Sequence, residues 1–202
     1  MSEASSTRRK AAKGRKSAID LNGRLVAAYI AVHHSGTGPG LLLLADGAEP
    51  DAGIHARADL FGEEGYSVLA IGSEATVPDI AAAAAVLRDF PETDGGIAAL
   101  GHGPGGVLAL RAAADAGFEA VVAFDAVALA EVAEILPRIP CPFVLQFGTR
   151  DAPEAAAAAA SIHGRLDRRD GSRVFDWPET GPGFAIPERD TFDKRVDSLA
   201  HS

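Results

Sequence analysis

The sequence predicts an α/β sandwich, a mostly parallel central sheet with helices on both faces, and three observations carry that prediction. Short apolar runs alternate with helix-patterned segments along most of the chain. Leu41-Leu42-Leu43-Leu44-Ala45 is a continuous apolar run, as a strand buried on both faces of a parallel sheet requires. Gly101-His102-Gly103-Pro104-Gly105-Gly106 lies between the apolar run Ile97 to Leu100 and the segment Val107 to Ala114, so strand, glycine-rich turn and helix follow directly.

Residues 24–32, Arg24 to Val32, read as a first strand that stops at the turn cluster Ser35-Gly36-Thr37-Gly38-Pro39-Gly40. The run at 41–45 is the second. A helix over 53–64 ends at Gly65 and feeds the strand Tyr66 to Ile71. An Ala-rich helix over 78–89, stopped by Pro91, precedes a strand at 96–100 and the glycine-rich turn. The helix after that turn ends near Gly117, followed by the strand Ala120 to Asp125 and a helix at 127–136. Phe143 to Phe147 forms the next strand and runs into Gly148-Thr149-Arg150-Asp151. A helix at 153–166 carries six consecutive alanines, Ala155 to Ala160, good helix formers that pack closely on a sheet. A strand at 173–177 and a helix from 188 to 200 complete the pattern. Sites in such sheets lie outside the carboxyl ends of the strands.

With 202 residues, 47% of them hydrophobic, the chain has enough material for one core, read as a single domain over 19–202 behind a tail. Residues 1–18 hold Arg8, Arg9, Lys10, Lys13, Arg15 and Lys16 against Glu3, a charge of +5. The net −9 therefore leaves −14 on the remaining 184 residues. An acidic body argues against nucleic acid or an anionic membrane as a partner of the folded surface. The tail reads as a disordered, solubilising leader that is also suited to touch an acidic partner. It has no apolar core of a signal peptide, and no segment approaches the length of a membrane helix, so a soluble, cytoplasmic chain is expected. Cys141 is the lone cysteine, flanked by Pro140 and Pro142, and reads as a structural thiol in a reducing compartment.

The glycine-rich turn has the outline of a nucleophile elbow, in which the middle residue attacks a carbonyl and nearby backbone N–H groups hold the oxyanion. Its middle residue is Gly103, without a side chain, and the next is Pro104, without an N–H. Gly105 and Gly106 suit close helix–sheet packing. The turn lacks the Lys-Ser/Thr pair of a phosphate-binding loop. His102 lies in the elbow itself and is the alternative base or metal ligand, with Asp46, Asp125 and Asp151 at strand ends as its partners; packing beside the turn is its plain structural role. No metal-ligand spacing accompanies these residues, and no cofactor is expected. His33 and His34 are adjacent in a turn, and neighbours on a strand face opposite sides. Ser73 follows the strand at 66–71 and is placed to project near the cleft, whereas Ser35, Thr149 and Thr180 read as turn residues that bond the local backbone; no histidine accompanies any of them.

In order and spacing the chain resembles the dienelactone hydrolase family of α/β-hydrolases from about residue 22 to 200. That family carries an elbow G-x-C-x-G-G, a strand ending F-G-x-x-D and a loop G-x-G-H-G-F before the last helix. The corresponding segments are Gly101 to Gly106, Phe147-Gly148-Thr149-Arg150-Asp151 and Glu179-Thr180-Gly181-Pro182-Gly183-Phe184. Leu44-Ala45-Asp46, Arg57 and Glu64-Gly65-Tyr66 also look like the family's early strand and helix, with Asp46 near the place of its carboxylate. The resemblance implies an α/β-hydrolase-like three-layer sandwich. It places the family triad on Gly103, Asp151 and Pro182, of which only the acid survives, and a triad acts as a unit. The short link from Ile71 to the helix at 78–89 resembles a member trimmed of active-site cover. The expectation is a noncatalytic homologue, a pseudoenzyme acting as a structural or regulatory subunit with a protein partner or a second copy of itself. The alternatives are a hydrolase of a small ester or lactone with a migrated site, and a protein binding a small ligand in the vestigial cleft.

Overall fold

Asn22 and Gly23, at φ 56° and 83°, turn the chain tightly between β1 (Arg15–Leu21) and β2 (Arg24–Ala31). Positive φ at both positions is the geometry of a two-residue hairpin, and Asn-Gly is its strongest local signal. In this computed structural model, which describes residues 14–32, 36–126, 133–166 and 171–201, the hairpin corrects the tail boundary at residue 18. Residues 15–18 belong to the sheet, because Ala18 pairs with Ala27 and Ile19 with Val26, and Leu21 closes the strand fully buried. Residues 1–13, His33, His34 and Ser35 lie outside the described residues, as does most of the helix expected at 127–136, of which 133–135 are helical before a 3-10 turn at Leu136–Arg138.

Among the described residues the remaining strands are β3 (Gly38–Leu44), β4 (Ser67–Ile71), β5 (Thr93–His102), β6 (Ala120–Phe124), β7 (Phe143–Gly148) and β8 (Arg173–Trp177). They form one sheet in the order β1-β2-β4-β3-β5-β6-β7-β8. The pairs β1/β2 and β2/β4 are antiparallel, and all others are parallel. The helices are α1 (Ala52–Glu64), α2 (Val77–Arg88), α3 (Pro104–Ala116), α4 (Pro153–Leu166) and α5 (Lys194–Ala200). The last helix begins later than the expected 188, because Glu188 adopts φ 72° and Asp193 caps the helix by accepting from the N–H groups of Arg195 and Val196.

The run Leu41 to Leu44 shows why a central strand is apolar at every position. Leu42 and Leu44 pack with Ile80, Ala109, Leu110 and Ile162 of α2, α3 and α4. Leu41 and Leu43 face the other way, against Ile54, Ala58 and Val196 of α1 and α5. The three-layer α/β sandwich expected from the sequence is therefore observed. Within the described residues no helix is long and apolar enough to cross a membrane.

One polar hub ties the hairpin to the sandwich. Asp79 closes a capping box with Thr76 at the start of α2 and accepts from Arg24 at 2.7 Å and from Asn22 at 3.1 Å. The backbone N–H of Thr76, ahead of these side chains, holds the Asp79 carboxyl well below the usual carboxylate range despite burial. Asp79→Ala removes the N3 half of the capping box and the acceptor of the exposed Arg24 and Asn22, so a loss of about 1–2 kcal/mol in urea unfolding is expected. A change within experimental error would show that the hub is incidental.

Candidate functional site

β5 delivers the chain to the elbow at the carboxyl end of the sheet. Gly103 has φ 51° and ψ −122°, and α3 starts at Pro104. The turn is fixed by the N–H of Gly103 donating to the Phe124 carbonyl (2.8 Å) and by the N–H of Gly106 donating back to Gly103 (3.0 Å). The glycines around it are required by space. A Cβ on Gly101 would stand 2.4 Å from the Gly105 oxygen, and one on Gly106 would touch the Ala123 Cβ at 3.1 Å. Gly103 differs, since a Cβ there would meet only the Asp46 Cβ, at an ordinary 3.4 Å. The position where an elbow presents its nucleophile is open and carries no reactive group.

Asp46 follows β3 and faces this opening, but its carboxylate is engaged. One Arg189 nitrogen donates to both Asp46 oxygens (2.9 and 3.1 Å) and to Asp51 (2.9 Å), forming a clamp across the rim. The hydroxyl of Ser73 donates to the carbonyls of Asp46 and Gly47. Asp151 sits in an exposed turn at φ 57°, and its carboxylate makes no hydrogen bond or ion pair among the described residues. Pro182 is exposed on the next loop, which runs beside that turn because the Arg150 N–H donates to the Thr180 carbonyl. Positions 103, 151 and 182 are thus on the carboxyl rim of the sheet, where the chain carries Gly, Asp and Pro.

His102 does not join them. It points to the α1/α5 face, is 2% exposed, and stacks on Phe124 at 5.1 Å and 25°. Phe124 in turn stacks on His201 at 5.0 Å and 19°. Burial first, then the nearby Arg57 guanidinium, His201 and Arg189, hold the His102 imidazole down to about 3. Its Nε2 is buried without a partner among the described residues. Beneath it, Arg57 binds Asp197 at 2.5 Å and the Ala185 carbonyl at 2.8 Å, while the His201 Nδ1 contacts Asp197. The expected convergence of His102 with Asp46, Asp125 and Asp151 is corrected. Alternation along β5 turns His102 to the face opposite the elbow helix, and each carboxylate is held or exposed elsewhere.

Asp125 has a different function. It follows β6 at φ 50°, and its two oxygens accept from the N–H of Gly148 (2.8 Å) and the N–H of Gly183 (2.7 Å). One carboxylate therefore joins the loops after β7 and β8. Burial pushes it up to about 6, although both amide bonds act to lower it. Sequence reading named Asp125 only as a partner for His102. It did not single out Arg189 or Asp51, since nothing local marks an ion pair spanning more than 130 residues.

Within the described residues no group of three or more His, Cys, Asp or Glu side chains is placed to hold a metal ion. A cavity of about 270 Å³ lined by Leu41, Tyr66, Ala98, Val122, Val144 and His201 lies on the α1/α5 face toward the amino ends of the strands, away from the elbow.

The family model for dienelactone hydrolases matches residues 55–202. The chain belongs to the dienelactone hydrolase family. A curated relative, carboxymethylenebutenolidase 1 of Cupriavidus pinatubonensis, is 26% identical over 129 residues, which is 64% of this chain and 55% of that one, so the match spans about half of the relative. Of solved structures, a Klebsiella pneumoniae protein assigned as a dienelactone hydrolase superposes with a TM-score of 0.80 at 15% identity, covering 95% of this chain and 96% of its own. A dienelactone hydrolase of Anabaena variabilis gives 0.74 at 17% identity, covering 95% and 96%. These likenesses fix the α/β-hydrolase-like fold of the dienelactone hydrolase family and stop there, because fold alone does not carry activity.

Proposed function

We propose that this chain is a noncatalytic dienelactone hydrolase homologue that works as a structural or regulatory subunit through its surface. The observation that carries the reading is Gly103, which keeps the backbone of the elbow at φ 51° and has no atom with which to attack. Pro104 supplies no N–H for an oxyanion, Pro182 replaces the base, and the buried His102 stays neutral on the far face. The basic residues Arg8, Arg9, Lys10 and Lys13 ahead of β1 support a docking role toward an acidic partner. Because Arg15 to Ala18 belong to β1, a truncation that tests this arm ends at residue 13.

A second reading is favoured by one contact, the approach of the Asp46 Cβ to the open position over Gly103. It makes Asp46 the carboxylate of a migrated hydrolase site, acting on a lactone of the kind named for the curated relative. One assay separates the two. Purified protein offered p-nitrophenyl acetate and a carboxymethylenebutenolide is expected to match the buffer rate. Turnover that disappears in Asp46→Ala or Asp151→Ala would overturn the noncatalytic reading.

A further inference from the structure

β8 is the outer strand beyond β7, and among the described residues nothing pairs with its free side. Exposed edges invite pairing unless charge, proline or a bulge blunts them. The opposite edge, β1, is guarded by exposed Arg15, Lys16 and Asp20. β8 carries exposed Arg173 and Asp176, but has no proline, no lysine and a continuous register with β7. It also presents Phe175 at 43% exposure, stacked on Trp177 at 6.2 Å and 25°.

The two faces of β8 are unequal. Val174 is buried, and Asp176 stands 3.6 Å from His163 of α4. On the other face, by alternation, Arg173, Phe175 and Trp177 form a ladder, with the Trp177 N–H donating to the Gln146 side chain.

We propose that β8 pairs antiparallel with β8 of a second copy about a two-fold axis at Phe175, extending the sheet across both chains. The ladder is complementary to itself in this register. Phe175 meets its own mate on the axis, and each Arg173 lies opposite the other chain's Trp177, a cation over an aromatic face, made twice by symmetry. Moving the axis to Asp176 sets two carboxylates opposite each other. Moving it to Val174 leaves Trp177 without a cross-strand partner. The register at Phe175 avoids both faults and satisfies the outward backbone groups of the edge. A two-fold contact needs no other protein, which makes the second copy the occupant that fits. This inference stands apart from the catalytic reading, since no residue in it touches the elbow.

Light scattering on the full chain tests it. At micromolar concentration the mass is expected near twice 20.7 kDa, and Phe175→Lys is expected to return 20.7 kDa with an unchanged far-ultraviolet circular-dichroism spectrum and a Tm that no longer rises with protein concentration. A wild-type monomer, or a dimer that survives Phe175→Lys, overturns the proposal. Register is read separately by oxidative cross-linking. Phe175→Cys is expected to link across the axis, and Arg173→Cys is not, since its own mate lies about 13 Å away along the ladder. Cross-linking through position 173 in preference to 175 also overturns it.

Discussion

Gly105→Ala is expected to lose about 3–4 kcal/mol of stability, enough to empty the soluble fraction of a marginal protein. A Cβ at this position would stand 2.4 Å from the Ala45 oxygen and 2.6 Å from the Leu44 oxygen. Both are backbone atoms at the carboxyl end of β3, pinned between β4 and β5 by the ladders that reach Ile71 and Gly101. No rotamer change relieves the clash. α3 has to lift from the sheet, and Val107, Ala109 and Leu110 lift with it. Gly103→Ala is the comparison. It has room but a left-handed φ, and about 1–2 kcal/mol of strain is expected. Urea unfolding of the two variants ranks them. Should Gly103→Ala prove the more damaging, close helix–sheet packing is not what the glycine-rich turn provides.

The second large effect concerns acid. In the folded protein His102 stays neutral down to about pH 3, whereas in the unfolded chain it takes a proton near its ordinary 6.5. The unfolded state therefore binds more protons below pH 6.5, and this residue's contribution falls as pH falls, by about 1.4 kcal/mol per unit. Asp125 runs the other way. It takes its proton near pH 6 when folded and near 3.8 when unfolded, so its contribution rises as pH falls through that window, at about the same slope. Between about pH 4 and 6 the two slopes cancel in the wild type. His102→Phe is expected to gain stability relative to wild type on acidification across that window. Asp125→Asn is expected to lose it, on top of a constant loss of about 1–2 kcal/mol from setting an amide NH₂ against one loop N–H. Urea midpoints measured for the three proteins from pH 4 to 6 decide the matter. Three parallel profiles would mean that neither group titrates in the way its burial dictates.

What was legible in the sequence is what short-range spacing encodes. Leu41 to Leu44 announced a strand buried on both faces, and Gly101 to Gly106 announced a strand-turn-helix with its glycines placed for close packing. The first hairpin was also written locally, in Asn22-Gly23 between alternating residues, but the basic charge of Arg15 and Lys16 outweighed it in a reading by composition. The site's ties were not legible. Arg57 reaches Asp197, Arg189 reaches Asp46 and Asp51, and Asp125 reaches Gly183, each through partners that only the completed fold makes neighbours. The orientation of His102 was in principle available from strand alternation, since Leu100 shares its face, yet its burial follows from Phe124 and α5, which no local window contains.

Asp125 has a consequence for how such a chain changes over generations. The loops after β7 and β8 are held to β6 through the backbone amides of Gly148 and Gly183. That tether acts through backbone atoms and needs no side chain at 151 or 182. Position 182 is exposed and can vary without loss of the architecture, whereas position 151, at φ 57°, is restricted to residues that tolerate a left-handed backbone. A histidine arriving at 182 would find its loop already in place.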